Sequence, residues 1–231
     1  MKNKTLWKQV GAAAIAAAMV MSTVPATPVQ AAGGKTLAVS SQKQLNQALK
    51  TVKGKNAVIT VKAGKNVKIT IPKGTYKVTI RVVGKKAAVV NNGTVKEIVV
   101  NSKGTVTIKN NGTIKKVTVQ NAKSVSFSGN CKKAVPVVVN AEDVSMILAA
   151  PAKITAKKDV NIVLKKGAEK SSIMCKKNAQ AQVDNQTKKA ISVKIADGTT
   201  LKVESGESCT ITPKGKKEDT SGEDKTDEKD K

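Results

Sequence analysis

Residues 91–109 read NNGTVKEIVVNSKGTVTIK, and residues 110–128 read NNGTIKKVTVQNAKSVSFS. Laid over each other, Asn91, Asn92, Gly93, Thr94, Lys96, Val100 and Val106 recur as Asn110, Asn111, Gly112, Thr113, Lys115, Val119 and Val125, each 19 residues on. The unit before them carries Gly74-Thr75-Tyr76-Lys77 in the same place, so Gly74, Gly93 and Gly112 keep that spacing. Each unit holds two runs of alternating apolar residues. The first runs are Ile59/Val61, Val78/Ile80, Ile98/Val100, Val117/Val119 and Val137/Val139. The second are Ile69/Ile71, Ala88/Val90, Val106/Ile108, Val125/Phe127 and Val144/Met146. The alternation continues through Ile162/Leu164, Val183, Ile191/Val193 and Leu201/Val203. Alternating β-branched residues set between Gly and Asn signal strand–turn–strand. A strand repeat of this length buries its apolar side only against the next repeat, so the units must stack. The expected fold class is all-β: a single-stranded parallel β-helix, or β-solenoid, of about eight coils with a period of about 19 over residues 53–213. At about 4.8 Å per coil the body is roughly 38 Å long.

The turns have a mechanism. Asn and Gly adopt left-handed backbone at low cost. Asn91, Asn110 and Asn130 recur at nearly one coil, as do Asn101, Asn121 and Asn140, and stacked Asn side chains can hydrogen-bond along a turn. The first coil would expose an apolar end and an open strand edge, which invites aggregation. Residues 41–50 are suited to cover it as one short capping helix. Ser41 and Gln44 have capping-box spacing, and Leu45, Ala48 and Leu49 share a helical face.

Outside the repeat, composition divides the chain. Residues 1–31 read as a secretory signal peptide. Lys2, Lys4 and Lys8 precede an uncharged, mostly apolar run from Val10 to Met21, then Pro25, Pro28 and a Val29-Gln30-Ala31 cleavage pattern. The run is too short for a membrane span, which needs roughly 20 apolar residues. Residues 32–52 are leader and capping helix. Residues 214–231 carry six Lys and seven acids and no large apolar residue, so a disordered tail is expected there.

The SSQKQLNQALK segment, followed by AVITV and VKITIP, resembles the N-terminal cap and first coils of secreted right-handed parallel β-helices, the pectate-lyase-like group. The resemblance covers roughly residues 36–211 and is one of pattern. A coil of 19 is short for that group, and a left-handed solenoid of 18-residue coils stays open beside it. The resemblance implies carbohydrate enzymes that hold Ca²⁺ with clustered Asp and use an Arg or Lys base, or hydrolases with Asp on neighbouring coils. The same fold also serves adhesins and structural proteins.

The residues themselves argue against catalysis. The 231-residue chain has no His, so no His-based triad or His-containing metal site forms. Its single arginine is Arg81 and its aromatics are Trp7, Tyr76 and Phe127, too few for bidentate phosphate reading or a stacking platform. Glycoside hydrolysis needs carboxylates about 5–9 Å apart, hence acids at matching places in adjacent coils. Nineteen residues after Glu97 stands Lys116, and nineteen after Asp143 stands Ile162. Asp159 approaches Asp143 only if the turns vary in length. No catalytic residue, metal site or cofactor is expected. Cys131, Cys175 and Cys209 are an odd number, separated by about 19 Å and 9 Å along the axis for the two pairs with Cys209, too far for a disulfide that needs Cα atoms within about 7 Å. They read as buried thiols acting as small apolar residues.

Charge points elsewhere. Residues 32–213 hold 33 basic and 9 acidic residues. That net charge of +24 lies beyond what solubility asks of a small domain. Lys77, Lys96 and Lys115 occupy one place in three consecutive coils. At about 4.8 Å, two such charges repel by about 0.9 kcal/mol in water. Such a column suits a polyanion, bound with release of counterions. The resulting expectation is a secreted, extracellular or wall-associated, non-enzymatic interaction protein. Its ligand-binding residues are Lys77, Lys96 and Lys115, and its partner is an anionic polysaccharide or wall polymer rather than a specific nucleic acid. The alternatives are a polysaccharide lyase or glycoside hydrolase acting on an acidic polysaccharide, and a purely structural module of a surface protein.

Overall fold

The computed structural model describes residues 35–62, 67–213 and 217–219. The signal peptide expected over 1–31 and most of the tail lie outside the described residues. Two sheets run the length of the repeat, and each coil gives one strand to each. The first sheet takes Lys35–Val39, Ala57–Val61, Thr75–Val82, Thr94–Asn101, Val117–Asn121, Val135–Val139, Ala152–Ala156, Ser172–Cys175, Ile191–Lys194 and Thr200–Val203, with the two-residue strand Thr113–Ile114 beside Thr94–Asn101. The second takes Val67–Ile71, Lys86–Asn91, Thr105–Asn110, Ser124–Ser128, Val144–Ala149, Val160–Leu164, Ala181–Asn185, Ser208–Ile211 and Lys217–Asp219. Pairing is parallel up to Ile191–Lys194 in the first sheet and Ala181–Asn185 in the second. The chain is thus a parallel β-solenoid of about eight stacked coils with a period near 19 and one short helix.

In-register pairing turns the sequence repeat into ladders of like side chains. In the first sheet Ile59, Ile80, Ile98, Val117, Val137, Ile154, Ile173 and Val193 stack inward, all buried. Beside them run Val61, Val82, Val100, Val119, Val139, Ala156 and Cys175. The second sheet answers with Ile69, Val89, Ile108, Phe127, Leu148 and Leu164. Truncating one rung leaves a void between two others, and Phe127→Ala at the widest point costs about 3–5 kcal/mol. One expected rung is displaced: Ala87 and Val89 are buried, whereas Ala88 and Val90 face outward. Four successive apolar residues give alternation no polar partner to orient it, and pairing with Val106 and Ile108 decides the face.

Glycine and asparagine in the turns serve a different purpose from the one expected. Among the described non-glycine residues only Asp143 has positive φ, at 53°. Gly93 and Gly112 are required by proximity: a Cβ on Gly112 would run into the Gly93 carbonyl, and one on Gly93 would lie 2.5 Å from the Pro72 oxygen. Stacked turns approach too closely for any side chain there. Asn91 and Asn110 are buried and linked, the Asn91 Nδ2 donating to the Asn110 Oδ1 at 2.8 Å. Asn130 does not continue this ladder. Gly129 stacks on Asn110 instead, and the Asn110 amide donates to the Cys131 sulfur at 3.4 Å. In the second set, Asn101 pairs with Asn121 across a register shift.

Both ends depart from the simple coil. The segment ahead of the helix supplies the strand Lys35–Val39, parallel to Ala57–Val61. The helix Gln42–Thr51 is capped by Ser41, whose side chain accepts from the Gln44 N–H, and it buries Leu45, Ala48 and Leu49 as its pattern predicts. Gln44 reaches back to the Ser40 N–H at 2.7 Å, one residue earlier than a capping box requires. Gln42 then completes the second sheet. Its amide accepts from the Thr70 N–H at 2.7 Å and donates to the Thr70 carbonyl at 2.8 Å, as a neighbouring strand would. At the other end the parallel stack does not continue. Ile191–Lys194 and Thr200–Val203 form an antiparallel pair around Asp197-Gly198, with Gly198 at φ 97° and the Asp197 carboxylate accepting from Thr199 N–H. Ser208–Ile211 pairs antiparallel with Ala181–Asp184, and Lys217–Asp219, within the segment expected as tail, pairs antiparallel with Cys209–Ile211. No helix among the described residues is long and apolar enough to cross a membrane.

The Gln42 contact yields a direct test. Gln42→Ala strips partners from a part-buried strand edge and should cost about 1–3 kcal/mol, read from the urea midpoint. Gln42→Glu should be no better, because a carboxylate accepts from the Thr70 N–H but has nothing to donate to its carbonyl. Gln47→Ala, on the exposed side of the same helix, should stay within about 0.5 kcal/mol of wild type.

Candidate functional site

The three lysines of the column are exposed and stand where the first sheet bends. Thr75, Thr94 and Thr113 are in register, and so are Tyr76, Val95 and Ile114. Lys77, Lys96 and Lys115 follow directly. Lys96 lies over Lys115 in straight register, the Lys115 N–H donating to the Val95 carbonyl at 3.2 Å. Lys77 enters at a bulge, where the pairing shifts between Tyr76 and Thr79, so that Val78 turns inward and Lys77 outward. The same chain path that buries Val78 and Ile98 therefore presents the lysines to solvent.

Acidic neighbours are engaged elsewhere. Glu97, one residue past Lys96, accepts from Lys116 Nζ at 3.2 Å and from the Thr118 hydroxyl at 2.6 Å. The other close ion pair joins Lys158 and Glu142 at 2.7 Å. Arg81 lies on the outer face of the first sheet, in register with Thr60 and Val99.

The column ends at Lys115 for a geometric reason. Val117 pairs with Val137, 20 residues on rather than 19. The lengthened coil puts buried Val135 where a fourth lysine would stand. The strand Thr113–Ile114 is left with one neighbour, Thr94–Val95, and its opposite edge opens on a cleft of about 680 Å³. Ile114, Val135 and Pro136 line it, with Lys115, Lys132 and Lys133 exposed around it and Asn111 and Asn130 beside them. Cys131 is half-buried in its wall. Composition alone hides this cleft; the change of spacing after residue 128 is the signal that marks it.

The turns also vary enough to bring Asp143 and Asp159 together. The Asp143 N–H donates to the Asp159 carbonyl at 3.1 Å, and both line a small recess of about 180 Å³ with Glu142, Lys158 and Asn178. Their carboxylates are poorly placed for acid–base work. The hydrogen bond and charge of Lys158 hold exposed Glu142 below the usual carboxylate range. Asp159 accepts from the Gln180 N–H at 2.8 Å. A general acid needs its pKa raised, not lowered.

All three cysteines are thiols, and two complete apolar ladders: Cys175 below Ala156, Cys209 beside Val183. Burial pushes the Cys175 thiol up to about 11. Burial also raises Cys131, against a lowering hydrogen bond from Asn110. No family model, curated protein or solved structure matches the chain.

Thiol reactivity should follow this placement. Alkylation in the native state should label Cys131 first, at the cleft wall, and leave Cys175 and Cys209 unmodified until denaturant is added. Mass mapping of the labelled peptides checks the order.

Proposed function

We propose that the protein is a secreted, non-enzymatic β-solenoid that associates with an anionic polysaccharide or wall polymer through its lysine edge. The observation that carries this reading is the column itself: exposed Lys77, Lys96 and Lys115 in three consecutive coils at one bend of one sheet. A rigid β-stack sets their separation, so a polymer with regularly spaced charges meets them without ordering the protein first. Lysine supplies diffuse attraction with three rotatable donors and does not impose a planar bidentate geometry. The net charge of +26 on the full chain adds long-range steering.

A second reading is a carbohydrate enzyme of the pectate-lyase-like group, favoured by the meeting of Asp143 and Asp159. It asks carboxylates already committed to Lys158 and to the backbone to act as acid and base. Product formation from an acidic polysaccharide, lost in Asp143→Ala, would establish it in place of the first.

The test is a titration of the full chain against teichoic acid, an acidic polysaccharide and a neutral glucan at two salt concentrations. Saturable binding to an anionic polymer should weaken with salt. It should fall about tenfold in K77Q/K96Q/K115Q, the sum of several exposed charge contacts. Equal binding to every anion, unchanged in that variant, would reduce the lysines to a solvation role.

A further inference from the structure

We propose that the cleft beside Thr113–Ile114 is a subsite for one anionic sugar or polyol unit of the polymer that follows the lysine edge. This rests on the polyanion reading above and adds the place where the polymer is recognised by its unit and not by charge alone. Lys115 belongs to both features, since it ends the column and lines the cleft. A chain laid along Lys77, Lys96 and Lys115 is therefore delivered into it. Its volume of about 680 Å³ lies within the roughly 300–1,000 Å³ common for small-molecule sites.

The lining selects the chemistry. Lys115, Lys132 and Lys133 place three cations around one opening, and they call for a phosphate or a carboxylate. Ile114, Val135 and Pro136 form an apolar floor that a bare ion would leave unused but that the C–H face of a sugar or polyol covers. The exposed amide of Asn130 and the open edge of Thr113–Ile114 offer donors and acceptors to hydroxyl groups, which can play either part. An acidic peptide fits less well. Strand addition draws its affinity from a running ladder, and this edge is two residues long.

Cys131 reports occupancy directly, because a unit seated in the cleft shields its sulfur. The full chain would be alkylated in the presence of a short glycerol phosphate oligomer, a short oligogalacturonate, an oligoglutamate or inorganic phosphate. One of the two carbohydrate-class oligomers should slow modification of Cys131 about tenfold at ten times its Kd. Which one does so separates phosphate from carboxylate. K132Q/K133Q should bind that oligomer about tenfold more weakly and lose the protection. K77Q/K96Q should keep short-oligomer affinity while binding the long polymer less tightly. Equal protection by inorganic phosphate, or protection by oligoglutamate in place of either sugar-class oligomer, would overturn the proposal. If the long polymer binds and no short oligomer shields Cys131, the subsite falls and the lysine edge stands. If no polymer binds at all, both fall.

Discussion

Parallel pairing in register sets the separation of coils at about 4.8 Å, and every other feature of the molecule answers to that spacing. A side chain at a given place in one coil sits over its counterpart in the next. The inward positions must therefore be filled by residues that stack without voids, which is why Ile59, Ile80, Ile98 and Val117 repeat one shape along one line. The turns must pass each other at the same separation, and Gly93 and Gly112 stand where no Cβ fits between them. A polar residue is admitted to the interior only if the stack itself satisfies it. Asn91 and Asn110 pass that test by bonding to each other, and Asn185 by donating to the carbonyls of Lys189, Val203 and Glu204.

Stacking without limit would make a fibre, so both ends need an explicit stop. The two solutions differ. At the start, a helix lies over the second sheet and a single glutamine amide imitates the peptide group of the strand that is missing. At the finish, the chain reverses and pairs antiparallel with its own last coils. An antiparallel neighbour changes the hydrogen-bond pattern offered to any further strand, so the parallel register cannot simply be continued by another copy.

What the sequence makes legible follows from the same spacing. Where successive units keep 19 residues and alternate apolar with polar side chains, as from Gly93 to Phe127, strand, face and neighbour can all be assigned by inspection. Legibility fails where that redundancy is missing. Ala87-Ala88-Val89-Val90 carries no polar mark to say which pair points inward. Asn130 mimics the asparagine spacing, but the inserted residue in its coil hands the buried place to Cys131. Asp197-Gly198 is a legible hairpin signal, hidden by an apolar alternation that continues on both sides of it. The lysine column was readable because it shares the perfect part of the repeat. The cleft was not, because it is made by the repeat's first error.

That error bears on how a regular scaffold acquires specificity. A faultless solenoid presents the same surface at every step, and a polymer bound to it can slide from one step to the next at little cost. Attraction of this kind depends on charge density, is screened by salt, and distinguishes poorly between polyanions. One additional residue between Val117 and Val137 ends a line of lysines, leaves a strand edge without a neighbour, and uncovers apolar floor beside three cations. The coils on either side stay in register, because the extra length is taken up in the turn. A local irregularity thus converts a uniform surface into one with a defined position, and it does so at the only kind of place where the stack tolerates variation, outside the ladders of Ile and Val that hold it together.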